Sequence, residues 1–305
     1  MRAESLTVPI IVIALSGCSS SSSGAAPSDA GSDASSADGS VTDASSDTAT
    51  SDGAPLPRGD WSCLGKVTIP APTASTVKVT KFGNPGVATS QPLKDLVLKA
   101  CALTDTACAT PLDTQTADVN GEVSFAALPA GTRGFDGYFE ATYPGDVSDL
   151  NFINPPFFAD VPFYQRVYWS HASLSLVFNS GAFTIDDTRG IIGFEAHDCT
   201  QFPGGVACSP GSVGCKNKLG EGIEVSIDVV DPKIGRGYIR VADGGLRVDP
   251  NATATDSSGT GGFVNVPPGT VNVTWKLQAT GQTVGTQKVF VRGGAFSAVI
   301  LMPMP

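Results

Sequence analysis

One segment of this chain occurs twice at a constant offset. Residues 118–132 read DVNGEVSFAALPAGT and residues 256–270 read DSSGTGGFVNVPPGT. Asp118, Gly121, Phe125, Leu128, Pro129, Gly131 and Thr132 return as Asp256, Gly259, Phe263, Val266, Pro267, Gly269 and Thr270, each 138 residues later and with no gap. A looser echo lies upstream, KDLVLK at 94–99 against EGIEVS at 221–226. The local chemistry reads as a turn followed by a strand. Asn120-Gly121 tolerates the positive φ of a tight hairpin turn, and Ser258-Gly259 is a weaker version of the same signal. Val123, Phe125 and Ala127 then alternate with Glu122, Ser124 and Ala126, so Phe125 and Phe263 are expected to face a core. Pro129-Ala130-Gly131 and Pro267-Pro268-Gly269 end the strands. Asp118 and Asp256 are expected to cap backbone NH groups of these turns. The next strands are expected at 135–142 and 270–280, where Val271, Val273, Trp275 and Leu277 alternate cleanly.

Composition fits short strands joined by turns. Gly contributes 35 and Pro 22 of 305 residues, and only 16% are charged. The pattern Asp-x-x-Gly-x-x-x-Phe-x-x-Leu/Val-Pro-x-Gly, with Pro92, Leu93, Leu96 and Leu98 ahead of the first copy, resembles the carboxypeptidase regulatory-like, prealbumin-like β-sandwich. The resemblance covers about 92–143 and 219–280 closely. It implies an all-β chain with two Greek-key β-sandwich domains in tandem. The expected boundaries are 59–188, including an aromatic connection at 144–188, and 189–305. SHASLSLVFNSG within the connection reads as a short helix or strand. GIIGFEAHDC reads as the first strand of the second domain, and QKVFVRGGAFSAVILMP as a closing hairpin turning at Arg292-Gly293-Gly294. Such a resemblance speaks to fold and hardly to function.

Residues 13–24, IALSGCSSSSSG, change character at one cysteine. An apolar stretch from Leu6 to Leu15 has the length of a secretory signal core. It is shorter than the roughly 20 apolar residues that span a bilayer. Leu15-Ser16-Gly17-Cys18 resembles the lipobox of bacterial lipoproteins. The resemblance implies a signal peptide at 1–17, cleavage between Gly17 and Cys18, and diacylglycerol on the Cys18 thiol. It also implies a fatty acyl group such as palmitate on the new amino end. Such chains hold a protein stably, at about 0.8 kcal/mol per buried CH₂. Residues 18–58 then form an anchor and a disordered tether of Ser, Asp, Ala, Gly and Thr, too polar to bury a core. Six aspartates from Asp29 to Asp52 account for most of the net charge of −10. The folded part is therefore only mildly acidic. Ser19 after the anchor cysteine resembles the outer-membrane sorting signal of Gram-negative lipoproteins, with the facing side left open.

With Cys18 set aside, six cysteines remain, an even number that suits an oxidising compartment. Cys101 with Cys108 and Cys208 with Cys215 share one spacing, and each pair is a candidate small-loop disulfide. Cys63 and Cys199 are then left for each other, although other connectivities stay open. The spacing matches no zinc site. Catalytic groups are sparse. His171 and His197 lie in different regions, and no GxSxG motif accompanies them. His197-Asp198-Cys199 would be a thiol site only if Cys199 were free. Asp186-Asp187 reads as a turn. No cofactor, metal or catalytic residue is expected, and no basic stripe points to nucleic acid. The aromatic run at 152–169 is the candidate binding feature, with Tyr164, Tyr168 and Trp169 as candidate ligand platforms. The competing reading packs these rings into a core or a seam. The expected function is a non-catalytic structural or ligand-binding surface module, anchored to the outer membrane. Its expected partners are the membrane, an envelope polysaccharide or another surface protein. The alternatives are a carbohydrate-binding surface protein and, last, a polysaccharide hydrolase.

Overall fold

The computed structural model describes residues 59–83, 86, 91–208, 218–242 and 245–305. Gly17, Cys18, the signal segment and the tether lie outside these residues, as does Cys215. The first half of the chain holds β1 (Thr76–Gly83), β2 (Val97–Ala102), β3 (Asp113–Thr116), β4 (Glu122–Pro129), β5 (Gly137–Thr142), β6 (Asp149–Phe152) and β7 (Tyr164–Gln165). One α-helix among the described residues, α1 (His171–Asn179), follows. The second half holds β8 (Gly190–Ala196), β9 (Ile223–Ile227), β10 (Gly235–Ala242), β11 (Gly245–Asp249), β12 (Thr260–Val266), β13 (Gly269–Leu277), β14 (Thr283–Val291) and β15 (Phe296–Leu301). The regular structure among the described residues is thus almost entirely β.

Nine strands form one sheet in the order β11-β10-β12-β8-β15-β6-β5-β2-β3. Two three-stranded sheets, β4-β1-β7 and β14-β13-β9, complete the set. Paired residues on neighbouring strands share a face, so the register sorts the nine-stranded sheet into two sides. Tyr138, Phe152, Val299 and Phe194 are paired across four strands. All four sit in one cluster with Val273, Trp275 and Val289, which places β14-β13-β9 on that side. Phe139, Asn151, Ala298 and Gly193 form the matching row on the opposite side. There Phe139 joins Val77, Phe82 and Phe125 under β4-β1-β7. Ile191 and Phe296, on the same side, join Leu174, Val177 and Phe178 of α1. The molecule is a three-layer stack. Its middle sheet is shared by both halves, and one side is covered jointly by a small sheet and a helix.

The two repeat copies fold alike locally and are placed differently. In each, the backbone NH of the turn glycine bonds the carbonyl of the leading Asp, at 3.0 Å for Gly121 and 2.9 Å for Gly259. Asp118 accepts from the Asn120 and Glu122 amides, and Asp256 from that of Ser258, as their turn position predicts. Phe125 and Phe263 are both buried. Each strand then carries the same bulge. The four residues from Phe125 to Leu128 face three of β1, and the four from Phe263 to Val266 face three of β8. The bulge breaks the expected alternation: Ala127 is exposed and Leu128 takes the core position. In the second copy Asn265 occupies the bulge at φ 58° and holds the preceding turn through the Asp186 amide and the Thr184 carbonyl. Yet β4 lies in an outer layer, whereas β12 lies in the shared sheet.

Two hairpin expectations are corrected. Asn120-Gly121 does not join paired strands, because β3 pairs with β2 in the middle layer and β4 with β1 in the outer one. A tight turn here moves the chain between layers. The expected C-terminal hairpin is also absent. β14 pairs with β13, while β15 crosses to the centre of the nine-stranded sheet and pairs in parallel with both β6 and β8. Its alternation stands, with Phe296, Ala298 and Ile300 on one side and Ser297 and Val299 on the other.

Candidate functional site

Two of the expected disulfides are present, Cys63–Cys199 and Cys101–Cys108. Cys208 is also disulfide-bonded. With Cys199 cross-linked, His197-Asp198-Cys199 holds no free thiol. Asp198 instead accepts from the backbone NH of Asp60 and from Thr200, fixing the start of the described chain against the second half. Among the described residues one trio of metal-type groups converges, Cys101, Cys108 and Glu140. Its sulfurs are bonded to each other, and Glu140 is taken by Arg292 at 2.7 Å. Arg292 also donates to the Thr106 carbonyl and the Tyr138 hydroxyl. This is a cross-brace between the halves.

The aromatic run turns out to line the shared sheet. Val161 and Tyr164–Gln165 run parallel to β1, so the segment forms the rim of the small covering sheet. Tyr164 packs against Phe82, Phe139 and Phe157. The Tyr168 hydroxyl donates to the Val147 carbonyl. With 8% and 2% of their surfaces exposed, Tyr164 and Tyr168 offer no open ring face, which corrects their assignment as ligand platforms. Trp169 is half-buried, 5.8 Å from the Phe296 ring.

The rim has a second feature that aromatic counting misses. Arg166 alternates with Tyr164 and points the same way, inward. Its Nε donates to the Tyr164 hydroxyl at 3.0 Å, and one terminal nitrogen is buried with no acceptor. Arg166 lies in the connection between β7 and α1. Ala298, Glu195 and Thr260 lie on three consecutive inner strands, where full burial is the rule, yet all are partly exposed. Glu195 keeps 39% of its side-chain surface open to solvent. Its carboxylate accepts from Nε2 of the buried His197 at 2.6 Å. Burial works against the charge of Glu195, but the His197 hydrogen bond and charge, with Arg166 beyond, hold the carboxyl at about 2. Two strands away on the same side, Asp149 and Asn151 are buried. One Asp149 oxygen accepts from the Trp169 amide at 2.7 Å, and burial drives this carboxyl well above the usual range. The other Asp149 oxygen and both polar atoms of the Asn151 side chain have no partner.

This side of the sheet therefore carries a partly exposed carboxylate at Glu195, a guanidinium with one unpaired nitrogen at Arg166, and a buried acid and amide at Asp149 and Asn151. Of these residues the sequence singled out Trp169, and His197 only as part of a thiol motif. Arg166, Glu195 and Asn151 carried no motif. The usable signal was the polar residue on an otherwise apolar inner strand, as in GIIGFEA.

No protein-family model matches the sequence, and no curated protein is significantly similar to it. Among solved structures, the shaft pilin SpaA of Lactobacillus rhamnosus GG is 15% identical. It covers 75% of this chain and 98% of its own, with a TM-score of 0.24. GBS52, a minor pilin of Streptococcus agalactiae, is also 15% identical at the same coverage, with a TM-score of 0.22. The Bacillus anthracis TIE protein is 12% identical over 75% of this chain and 34% of its own, with a TM-score of 0.21. Superpositions this loose carry no inference about assembly or partners.

Proposed function

We propose that the chain is an outer-membrane lipoprotein whose folded part is a non-catalytic structural or ligand-binding surface module. Its support is the three-layer stack itself. One sheet runs through both halves, Arg292 braces them, and a disulfide fastens Cys63, close to the expected tether, to Cys199. A body built this way holds its shape at the end of the expected tether. The groups weighed for catalysis have structural work: Cys199 is cross-linked, and Asp118, Asp186 and Asp256 hold turns. The anchor is tested by metabolic labelling with a palmitate analogue and by membrane fractionation. The native chain should label and sediment with outer membranes, and Cys18→Ala should do neither. Labelling that survives Cys18→Ala would sink the anchor.

A further inference from the structure

We infer that the Cys101–Cys108 disulfide is the lock of the brace between the two halves: it shapes the socket that seats Arg292, so opening this one bond slackens the joint from which β15 departs. The inference concerns the folded body alone and goes beyond the reading of the chain as an anchored surface module.

The chain leaves β2 after Ala102 and resumes pairing at Asp113. Cys108, within that excursion, is tied back to Cys101 on the strand it left. Residues 102–107 thereby become part of a closed ring. The turns inside it are local: the Asp105 amide bonds the Ala102 carbonyl and the Cys108 amide the Asp105 carbonyl, each at 3.0 Å. Two neighbouring carbonyls of the ring are then offered to groups outside it. Tyr138, paired with Cys101 across the sheet, donates its hydroxyl to the Asp105 carbonyl at 2.6 Å. Arg292 donates twice to the Thr106 carbonyl, at 3.0 Å from Nε and 2.8 Å from a terminal nitrogen. That terminal nitrogen also lies 2.9 Å from the Tyr138 hydroxyl, and the other holds Glu140 at 2.7 Å. The Glu140 carboxylate is within 4.8 Å of both sulfurs. Every acceptor of Arg292 is therefore gathered around this disulfide.

Arg292 comes from the other half, in the turn between β14 and β15, and β15 is the strand that joins the halves. A rigid guanidinium fork gains most from acceptors that are already held in place. Thr106 is exposed, so ring closure rather than packing fixes its carbonyl. The small ring thus acts at a distance from its own loop, through Arg292.

The first test is a double-mutant cycle on the full oxidised chain, read by urea unfolding. One arm is Arg292→Met and the other is Cys101→Ala with Cys108→Ala, which opens the ring without burying a hydroxyl. With the ring open, Arg292→Met should raise the unfolding constant by a factor about ten times smaller than it does in the native chain. Equal factors would mean that local turns hold the socket unaided, and would overturn the proposal. The second test needs no cysteine variant. Coupling is reciprocal, so losing Arg292 must ease the opening of the ring. In a dithiothreitol buffer the reductant supplies two hydrogens and two electrons and closes to its cyclic disulfide, leaving Cys101 and Cys108 as thiols. Alkylation and peptide mapping at equilibrium should show Cys101–Cys108 about tenfold easier to reduce in Arg292→Met than in the native chain, with Cys63–Cys199 unmoved. No shift at Cys101–Cys108, or one shared equally by Cys63–Cys199, would overturn the proposal.

Discussion

Asp149 and Glu195 carry carboxyl groups on the same side of one sheet, and their surroundings push them in opposite directions. Glu195 is held below its ordinary pKa. Its contribution is present above that ordinary value and is lost as pH falls toward about 2. Asp149 is raised. The folded state tolerates it as a neutral acid below its ordinary 3.8 and loses that advantage as pH rises through the folded value. Asp149→Asn keeps an oxygen for the Trp169 amide and removes the titration. Urea midpoints of this variant should therefore gain on the native protein as pH rises above the ordinary 3.8. A gap between the two that stays constant with pH would contradict this account. Arg292 makes the second prediction at this scale. Arg292→Met leaves Glu140 buried without its cation, and the loss should be about 3 kcal/mol or more by denaturant unfolding. Little at this scale was legible beforehand. Asp118 and Asp256 were, because a turn aspartate acts on amides two to four residues away. Arg292 and Glu140 were not, because they stand 152 positions apart in the chain and only the fold brings them together.

At the scale of elements, α1 seats on a glycine ladder. Gly193, Gly262 and Gly237 are paired in register across β8, β12 and β10. A Cβ at Gly193 would lie 2.3 Å from the Phe296 ring, and one at Gly262 would lie 3.0 Å from that of Phe178. The missing side chains make the trough that receives these rings. Gly193→Ala should cost about 1–3 kcal/mol, read as a lowered thermal midpoint, because a packed sheet centre cannot shift to admit a methyl group. Strands around the repeat were legible, since alternation and turn chemistry act locally. Pairing partners were not. A tight turn looks the same in sequence whether it closes a hairpin or passes the chain between layers, and a bulge adds one residue without any fixed signature. Ala127 shows this: parity puts it inside, and one extra residue puts it outside.

The whole molecule turns on cross-links and on the shared sheet. The Cys63–Cys199 bridge closes a separation of 136 residues and Cys101–Cys108 one of 7. Chain-entropy reasoning assigns them about 5 and about 2.5 kcal/mol. Replacing Cys63 and Cys199 by Ser should therefore be the more damaging pair of changes in parallel urea titrations. Because β6 and β15 pair across the halves, calorimetry of the native chain should show a single transition, and two resolved transitions would mean the halves are independent. The repeat announced two related halves. Their fusion was hidden, because the strand that joins them is an ordinary alternating segment whose partners lie far upstream. β15 fills the middle of its sheet, and this has a bearing on biosynthesis. Residues 149–152 and 190–196 lack their common neighbour until the segment beyond 296 has been synthesised. The first half cannot lock early during synthesis, and a stop codon ahead of residue 296 removes the keystone of the whole structure.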